Sequence, residues 1–260
     1  TSAEKIWKGT PMAECAATSA VLAAAGQARG WQEDLYRDLH QHPELSNQEH
    51  RTAGLVADRL GRDGFEVSTG VGGTGVVGVL RNGTGPTVLL RADMDALPVK
   101  EDTGLPYASS VTATPTGGGD AVPVAHACGH DMHVTCLLGA AHLLAAGEKH
   151  WSGTLVTVFQ PAEETVNGAR AMIADGLADL VGPVDVALGQ HVAPLPAGRR
   201  AAVPGPAFAA ADCVRVTVYG RGGHASMPQS TVDPVVLAAA IVLRLQTVVS
   251  REIDPGEPAV

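Results

Sequence analysis

The stretch TVLLRADMD, residues 87–95, contains the pattern that decides the fold: a short apolar run that leads directly into acids. Two further runs of this kind follow, GTLVTVF at residues 153–159 and VDVALG at residues 184–189. Runs that are apolar on both faces are typical of strands buried inside an α/β sheet. The polar residues that follow the three runs are Asp93 and Asp95, Glu163 and Glu164, and His191. If the strands are parallel, these side chains converge at one edge of the sheet, where α/β proteins bind ligands.

Helical patterns lie between the predicted strands. Two helices are expected at residues 31–46 and 47–65, the second capped by Asn47, and two more at residues 131–147 and 167–179. Extended segments are expected at residues 65–70 and 75–83, where glycine and Asn-Gly turns punctuate the chain. Because strands and helices alternate, the sequence predicts an α/β fold.

Composition limits the possible classes of protein. The 260 residues are 45% hydrophobic and 17% charged, which indicates a globular chain of one large or two smaller domains. A net charge of −9 and an aromatic content of 3% argue against a nucleic-acid partner. Four widely spaced cysteines favour a reducing, cytoplasmic setting. The lack of a long uninterrupted apolar run argues against a membrane partner. The alanine-rich residues 1–30 lack the basic segment of a signal peptide and are expected to form an N-terminal extension with an additional helix.

The octet HACGHDMH, residues 126–133, holds a thiol, three imidazoles and a carboxylate. Cys128 precedes a predicted helix, whose N-terminus is expected to lower the thiol pKa and favour the thiolate. A thiolate serves as a metal ligand or as a nucleophile, so a thiol hydrolase remains an alternative. The adjacent Glu163 and Glu164 favour a metal-dependent hydrolase, which needs carboxylates both as ligands and as a base for water. A non-catalytic metal-binding module is a third alternative.

Six motifs carry a resemblance to a known family. In chain order they are HQHPELSNQE, LLRADMDALPV, HACGHDMH, FQPAEE, GQHV and GRGGHASMPQSTVDPV, and they extend from about Leu35 to the end of the chain. Together they resemble the aminoacylase-type metal-dependent amidohydrolases and carboxypeptidases, and most of all the hippurate hydrolases and auxin-conjugate (indole-acetyl amino acid) hydrolases. Six motifs in order are far more specific than any single motif.

The resemblance implies a set of site residues. It makes Cys128, His130, Glu164 and His191 metal ligands and Glu163 the general base. Asp93 stands where many relatives have a histidine ligand, so Asp93 is expected behind the ligands, and Asp95 is expected to orient one of them. His224 matches a histidine that reaches into the partner subunit's cleft to help hold the scissile carbonyl, which implies a homodimer.

The resemblance also implies a reaction and a domain arrangement. The reaction is hydrolysis of an N-acyl amino acid to a carboxylate and a free amino acid, with two divalent ions per complete site, either zinc or manganese, cobalt or nickel. The expected catalytic domain is zinc-exopeptidase-like, with a mixed, largely parallel sheet flanked by helices, and an α+β lid or dimerisation domain is inserted into it. Residues 31–205 would form the first part of the catalytic domain and residues 206–260 the start of the lid, with a strand at 212–220 and a helix at 233–250.

The lid is expected to be truncated. Relatives return from the lid with a further histidine ligand, and no histidine follows His224 in this sequence. The chain from Thr1 to Val260 alone is therefore expected to bind a second metal weakly and to hydrolyse little substrate.

Overall fold

A computed structural model describes residues 16–202, 205 and 214–254. The described residues up to Leu195 form a first compact unit, and those from Pro196 onwards belong to a second. The helices of the first unit are α1 (Ala16–Leu22), α2 (Ala25–Gln41), α3 (His50–Arg62), α4 (His130–Ala146), α5 (Gly168–Ala174) and α6 (Leu177–Val181). Its strands are β1 (Glu66–Val71), β2 (Gly75–Asn82), β3 (Thr87–Asp93), β4 (Thr112–Ala113), β5 (Val122–Pro123), β6 (Gly153–Gln160) and β7 (Val186–Gly189). Within the predicted N-terminal extension, α1 packs beside α4.

The main sheet has the strand order β1-β2-β6-β3-β7. The pairs β1–β2 and β2–β6 are antiparallel, whereas β3 is parallel to both β6 and β7. The predicted α/β fold with a mixed sheet is therefore confirmed, and its parallel part consists of β3, β6 and β7, which contain the three apolar runs. A separate pair of short strands, β4 and β5, forms a second, antiparallel sheet.

Helices cover both faces of the sheet. On one face α2, α3 and α4 enclose a core that includes Leu39, Leu60, Leu138 and Phe159, all almost fully buried. On the other face, alternate residues of β2 and β6 pack against Met172 in α5. Successive side chains of a strand point to opposite faces, so the two helical layers together bury both faces of β6. The burial expected of VDVALG is wrong for β7, because β7 lies at the edge of the sheet and all four of its residues are exposed.

The start of α3 differs from the prediction. The helix begins at His50, and Asn47 adopts a left-handed conformation with φ 63° instead of capping it. The carboxylate of Glu44 takes the capping role, because it accepts the backbone N–H groups of Arg51 and Thr52, each at 2.8 Å. The predicted helix at 167–179 is also divided, into α5 and α6.

The second unit contains α7, Pro234–Arg251, which confirms the helix predicted there. Asp233 caps α7, since its Oδ1 accepts the N–H of Val235 at 2.8 Å. A strand is predicted at 212–220, but its described part, residues 214–220, is not a strand. None of the described strands pairs with these residues. Asp212 and two of the cysteines, Cys15 and Cys213, lie outside the described residues.

By length and composition α7 is able to cross a membrane, with a mean hydropathy of 1.5. The lack of an uninterrupted apolar run does not anticipate this helix, because the arginines of α7 do not lower its mean hydropathy enough to exclude it, and the expectation of no membrane partner stays a prediction. One such helix is weak evidence for a membrane partner, since packed helices of soluble proteins have similar compositions.

Candidate metal centre

The carboxyl ends of β3, β6 and β7 lie side by side. Asp93 pairs with Gln160 across the β3–β6 ladder, and Arg91 pairs with Gly189 across the β3–β7 ladder. The polar residues that follow these strands therefore meet at one edge of the sheet, as the sequence predicts. The N-terminus of α4 reaches the same edge through Gly129, whose φ of 80° is left-handed. A Cβ at Gly129 would overlap the side chain of Val192, so the turn also needs glycine for space.

His130 lies at the centre of the cluster and is 0% exposed. Its Nε2 stands 3.6 Å from Asp93 Oδ2, 3.8 Å from Glu164 Oε1 and 4.0 Å from Glu163 Oε2. Within the described part of the chain, neither His130 Nε2 nor Glu164 Oε1 has a hydrogen-bond partner. Buried polar atoms are normally paired, so unpartnered atoms that face one another indicate a place for a bound group.

The remaining predicted ligands are close to His130. Cys128 Sγ lies 3.3 Å from His191 Nε2. Ligand atoms of Cys128, His130 and His191 fall within 4.8 Å of one another, and so do those of His130, Glu163 and Glu164. Ligands at about 2.0–2.3 Å from a tetrahedral ion are about 3.3–3.8 Å apart. The Cys128–His191 distance of 3.3 Å and the His130–Glu164 distance of 3.8 Å fit this geometry.

The charges of the cluster also fit a cation. Burial raises the pKa of Glu164, and burial followed by the charge of Glu164 raises the pKa of the Cys128 thiol to about 12. The expectation that the helix N-terminus would favour a Cys128 thiolate is therefore wrong for the cluster of protein groups alone, because desolvation and neighbouring carboxylates outweigh the helix dipole. A divalent cation would remove the repulsion among these acids and stabilise the thiolate.

Asp95 contacts two of the predicted ligands. Its Oδ1 lies 3.3 Å from His130 Nδ1, and its Oδ2 accepts the backbone N–H of Glu164 at 2.9 Å and the hydroxyl of Ser46 at 2.6 Å. Burial alone would lower the pKa of His130, but Asp95 and Asp93 raise it. Asp95 is therefore placed to orient the imidazole of His130 and to hold the backbone of Glu164.

Asp93 is held by two basic groups. Its Oδ2 accepts from Arg91 Nη1 at 2.7 Å, and its Oδ1 lies 2.6 Å from His133 Nδ1. Burial would raise the pKa of Asp93, but His133, His130 and Arg91 together lower it to about 2. Both oxygens of Asp93 are thus in use, but ligand atoms of Asp93, His130 and His133 also lie within 4.8 Å of one another, so the place of Asp93 behind the ligands stays a prediction.

His133 is a part of the cluster that the sequence analysis did not single out. Its Nδ1 donates to Asp93, which leaves Nε2 to accept the backbone N–H of Val192 at 2.9 Å. His133 thereby fixes the loop that carries His191. The three-residue spacing of His130 and His133 was the available signal, because it places both rings on one face of α4.

His224 belongs to the second unit, where it is exposed. Its Nδ1 accepts the hydroxyl of Ser226 at 2.8 Å and the backbone N–H of the same residue at 3.2 Å. The role predicted for His224 in a partner's cleft stays a prediction.

Comparisons of sequence identify a family of related proteins. The profile of peptidase family M20/M25/M40 matches residues 89–259. The chain is 42% identical over 233 residues to thermostable carboxypeptidase 1 of Saccharolobus solfataricus, a match that covers 88% of this chain and 56% of the relative. It is also 42% identical over 230 residues to the hippurate hydrolase of Campylobacter jejuni, covering 88% of this chain and 57% of the relative. The chain thus spans about half the length of the curated relatives it matches.

Two solved structures of related proteins superimpose on the chain. A protein of methicillin-resistant Staphylococcus aureus, named as an aminohydrolase, superimposes with a TM-score of 0.74 at 35% identity over 93% of this chain and 60% of that one. The Bacillus subtilis YXEP protein, described as a dinuclear metal-binding peptidase, superimposes with a TM-score of 0.57 at 35% identity. That superposition covers 65% of this chain and 44% of the other.

Proposed function

Because the chain belongs to peptidase family M20/M25/M40, we propose that it is the metal-binding part of an enzyme that hydrolyses the amide bond of N-acyl amino acids. The observation that carries this proposal is the grouping of Cys128, Glu164 and His191 around the buried, unpartnered Nε2 of His130, with Glu163 beside them. The names of two relatives support the substrate class: an IAA-amino acid hydrolase of Arabidopsis thaliana and an N-acetyl-L-cysteine deacetylase of Bacillus subtilis, each 38% identical.

The proposed ligands of the divalent metal are Cys128, His130, Glu164 and His191. When bound, the metal supplies a positive charge that polarises the substrate carbonyl and acidifies water. Thiolate and imidazole donors suit zinc. Manganese, cobalt and nickel are alternatives, because the coordination geometry and the availability of each metal decide which one binds. The dinuclear site named for the Bacillus subtilis relative supports two ions in the complete site.

Glu163 is the proposed general base. Its side chain is 41% exposed, against 20% for that of Glu164, so Glu163 is the acid that an incoming substrate and water can reach. As the water oxygen bonds to the carbonyl carbon, Glu163 accepts a proton from the water. Glu163 then delivers this proton to the amide nitrogen as the C–N bond breaks, which yields a carboxylate and a free amine.

The second unit is proposed to belong to the lid. The domain partition expected from the sequence, residues 31–205 and 206–260, stays a proposal, and the compact units of the described residues divide earlier, between Leu195 and Pro196. In a homodimer joined through this lid, His224 of one subunit would help to hold the carbonyl of a substrate bound to its partner. No nucleic-acid or membrane partner is proposed, and the proposed location is the cytoplasm.

The division of labour between the two glutamates tests the proposal. Glu163→Gln should reduce hydrolysis of N-acetyl, N-benzoyl or indole-acetyl amino acids by about 10²–10⁴-fold while metal stays bound, because a base is lost and no ligand is. Glu164→Gln should also lose metal, since a neutral amide is a poorer ligand. Metal content per chain is measured together with turnover, and exposed Glu148 provides the matched control, Glu148→Gln. Equal metal loss in the Glu163 and Glu164 variants would contradict the assignment.

Two alternatives give different results. A thiol hydrolase needs a reactive thiolate, and the high pKa of the Cys128 thiol is unfavourable to one without metal. Activity that resists chelators but is abolished by alkylation of Cys128 would favour it. A non-catalytic metal-binding module would bind stoichiometric metal and release no amino acid from any N-acyl substrate.

A further inference from the structure

We propose that Glu49 is a positioning residue for Glu163 and Glu164, because it holds the turn that presents them; this inference rests on the proposed function. Glu49 is 0% exposed, at the junction between the loop that follows α2 and the start of α3. Among the described residues, its hydrogen-bond partners are two backbone N–H groups and one hydroxyl, and none is a cation. A buried carboxylate is costly, so its presence needs an explanation.

The contacts of Glu49 join three separate parts of the first unit. Its Oε1 accepts the backbone N–H of Ala162 at 2.8 Å and that of Asn47 at 3.0 Å. Its Oε2 accepts the hydroxyl of Thr74, in the turn between β1 and β2. Burial raises the pKa of Glu49, while these hydrogen bonds act in the opposite direction and favour the charged form. The carboxylate therefore ties the turn after β6 to two fixed points of the fold.

The turn after β6 is strained and tightly packed. Ala162 is buried and has a left-handed φ of 49°, a conformation that is unfavourable for a residue with a side chain. A Cβ at Gly168 would overlap the carbonyl oxygen of Pro161, so the turn closes to the limit of contact. Strained backbone of this kind persists only where its surroundings determine it.

Glu49 and Asp95 hold this turn on either side of Glu163. Glu49 binds the N–H of Ala162, one residue before Glu163, and Asp95 binds the N–H of Glu164, one residue after it. Both carboxylates thus act on the backbone from which the two glutamate side chains project. A displacement of about 1 Å at a reacting group can cost about 100-fold in rate, so loss of the Glu49 contact is expected to affect turnover from a distance.

The chemistry of the contacts provides a conservative variant. In Glu49→Gln the amide oxygen can accept both backbone N–H groups, and the amide nitrogen can donate to the rotated Thr74 hydroxyl. Glu49→Gln thus keeps the three contacts without the charge, whereas Glu49→Ala removes all of them. Val56→Ala is the matched control, because Val56 is a buried residue of α3 and has no contact with the turn among the hydrogen bonds of the structure.

The test measures the turn as well as the activity. In the whole chain loaded with Zn²⁺, Glu49→Ala should lower kcat about 100-fold with little change in KM, and should speed amide hydrogen exchange at residues 162–168. Glu49→Gln should retain the kcat and the slow exchange of the unaltered chain. Val56→Ala should change neither kcat nor the exchange at residues 162–168, although it destabilises the fold. If Glu49→Ala does not fold, Thr74→Val, which frees only Oε2, should still speed exchange at residues 162–168.

The outcomes separate this inference from the proposed function. Unchanged exchange at residues 162–168 in Glu49→Ala, or in Thr74→Val where Glu49→Ala does not fold, would overturn the inference, as would an equal effect of Val56→Ala. Fast exchange at residues 162–168 in Glu49→Gln would overturn the inference too. If the unaltered chain binds no divalent metal, the proposed function fails, and the exchange rates still decide whether Glu49 holds the turn.

Discussion

Helices α4 and α7 are similar in length, 17 and 18 residues, and both are largely apolar, but their surroundings differ. In α4 the buried residues include Leu138 and the polar residues His130, Asp131 and His133, whereas no residue of α7, all of which the structure describes, is buried. Apolar composition therefore does not by itself create a core. The comparison also shows why the proposed ligand His130 lies in α4: burial removes water from polar groups, and only a packed helix can impose partners on them.

The largest expected effect comes from removing packing in each helix. Leu138 is 0% exposed and Leu243 in α7 is 70% exposed. Leu138→Ala should lower the free energy of unfolding by about 3–5 kcal/mol, through lost burial and the cavity left behind. Leu243→Ala should change it by less than about 0.5 kcal/mol. Denaturant titrations followed by tryptophan fluorescence measure both. An equal loss in the two variants would break the comparison, because it would mean that α7 is buried in solution.

A smaller effect is expected at two glycines, one from each unit. Gly168→Ala should destabilise the protein by about 1–3 kcal/mol, because the added methyl group overlaps Pro161. Gly222→Ala should be tolerated, since no atom lies within 4 Å of a Cβ at that position. Thermal unfolding of the two variants provides the measurement. A well-tolerated Gly168→Ala would show that the turn after β6 is looser than described.

The smallest expected effect is a pH dependence from the buried polar network of the first unit. His40 Nδ1 lies 2.6 Å from Asp131 and its Nε2 lies 3.1 Å from Glu101, with Tyr36 and Tyr107 against the ring. Burial lowers the pKa of His40, but the hydrogen bonds of the two carboxylates raise it above its usual value. A folded pKa above the unfolded one, about 6.5, means that the native state binds more protons.

The stability that His40 contributes should therefore be complete below about pH 6.5 and lost as pH rises through the raised folded value. Urea unfolding of the unaltered chain and of His40→Gln between about pH 5.5 and 9 measures this difference. Glu101→Gln removes one of the two carboxylates, so the folded pKa of His40 should lie closer to its unfolded value. The pH range over which this stability is lost should therefore be narrower. A difference between the chain and His40→Gln that grows with pH would contradict the assignment. No such dependence is expected from apolar substitutions in α7.

Parts of the site that depend on local pattern were predictable from the sequence. Three apolar runs that end in acids or histidine predicted the convergence of Asp95, Glu163 and His191, because parallel strands place their carboxyl ends together. The octet predicted the position of Cys128 and His130 at the start of a helix. These inferences needed only the periodicity of the chain and the chemistry of residues at element ends.

The parts that were wrong or missed depend on particular side-chain contacts, most of them between distant parts of the chain. Asn47 does not cap α3, because Glu44 supplies the carboxylate instead. The pKa of Cys128 is raised first by burial and then by the charge of Glu164, which precedes β7 and lies far along the chain. His133 and Glu49 act through the backbone of Val192 and Ala162, and no local pattern records such a contact.

The central position of β6 has a consequence for synthesis on the ribosome. β2 and β3 are made one after the other, but in the sheet β6 lies between them. At about 5–20 residues per second, the chain from Asp93 to Gly153 takes about 3–12 seconds to be made. During this interval β2 lacks its second neighbour and β3 lacks both, and unpaired strand edges bind other chains readily. A nascent chain is thus most dependent on chaperones after β3 has emerged, and it lacks the last of the four proposed ligands until His191 has followed.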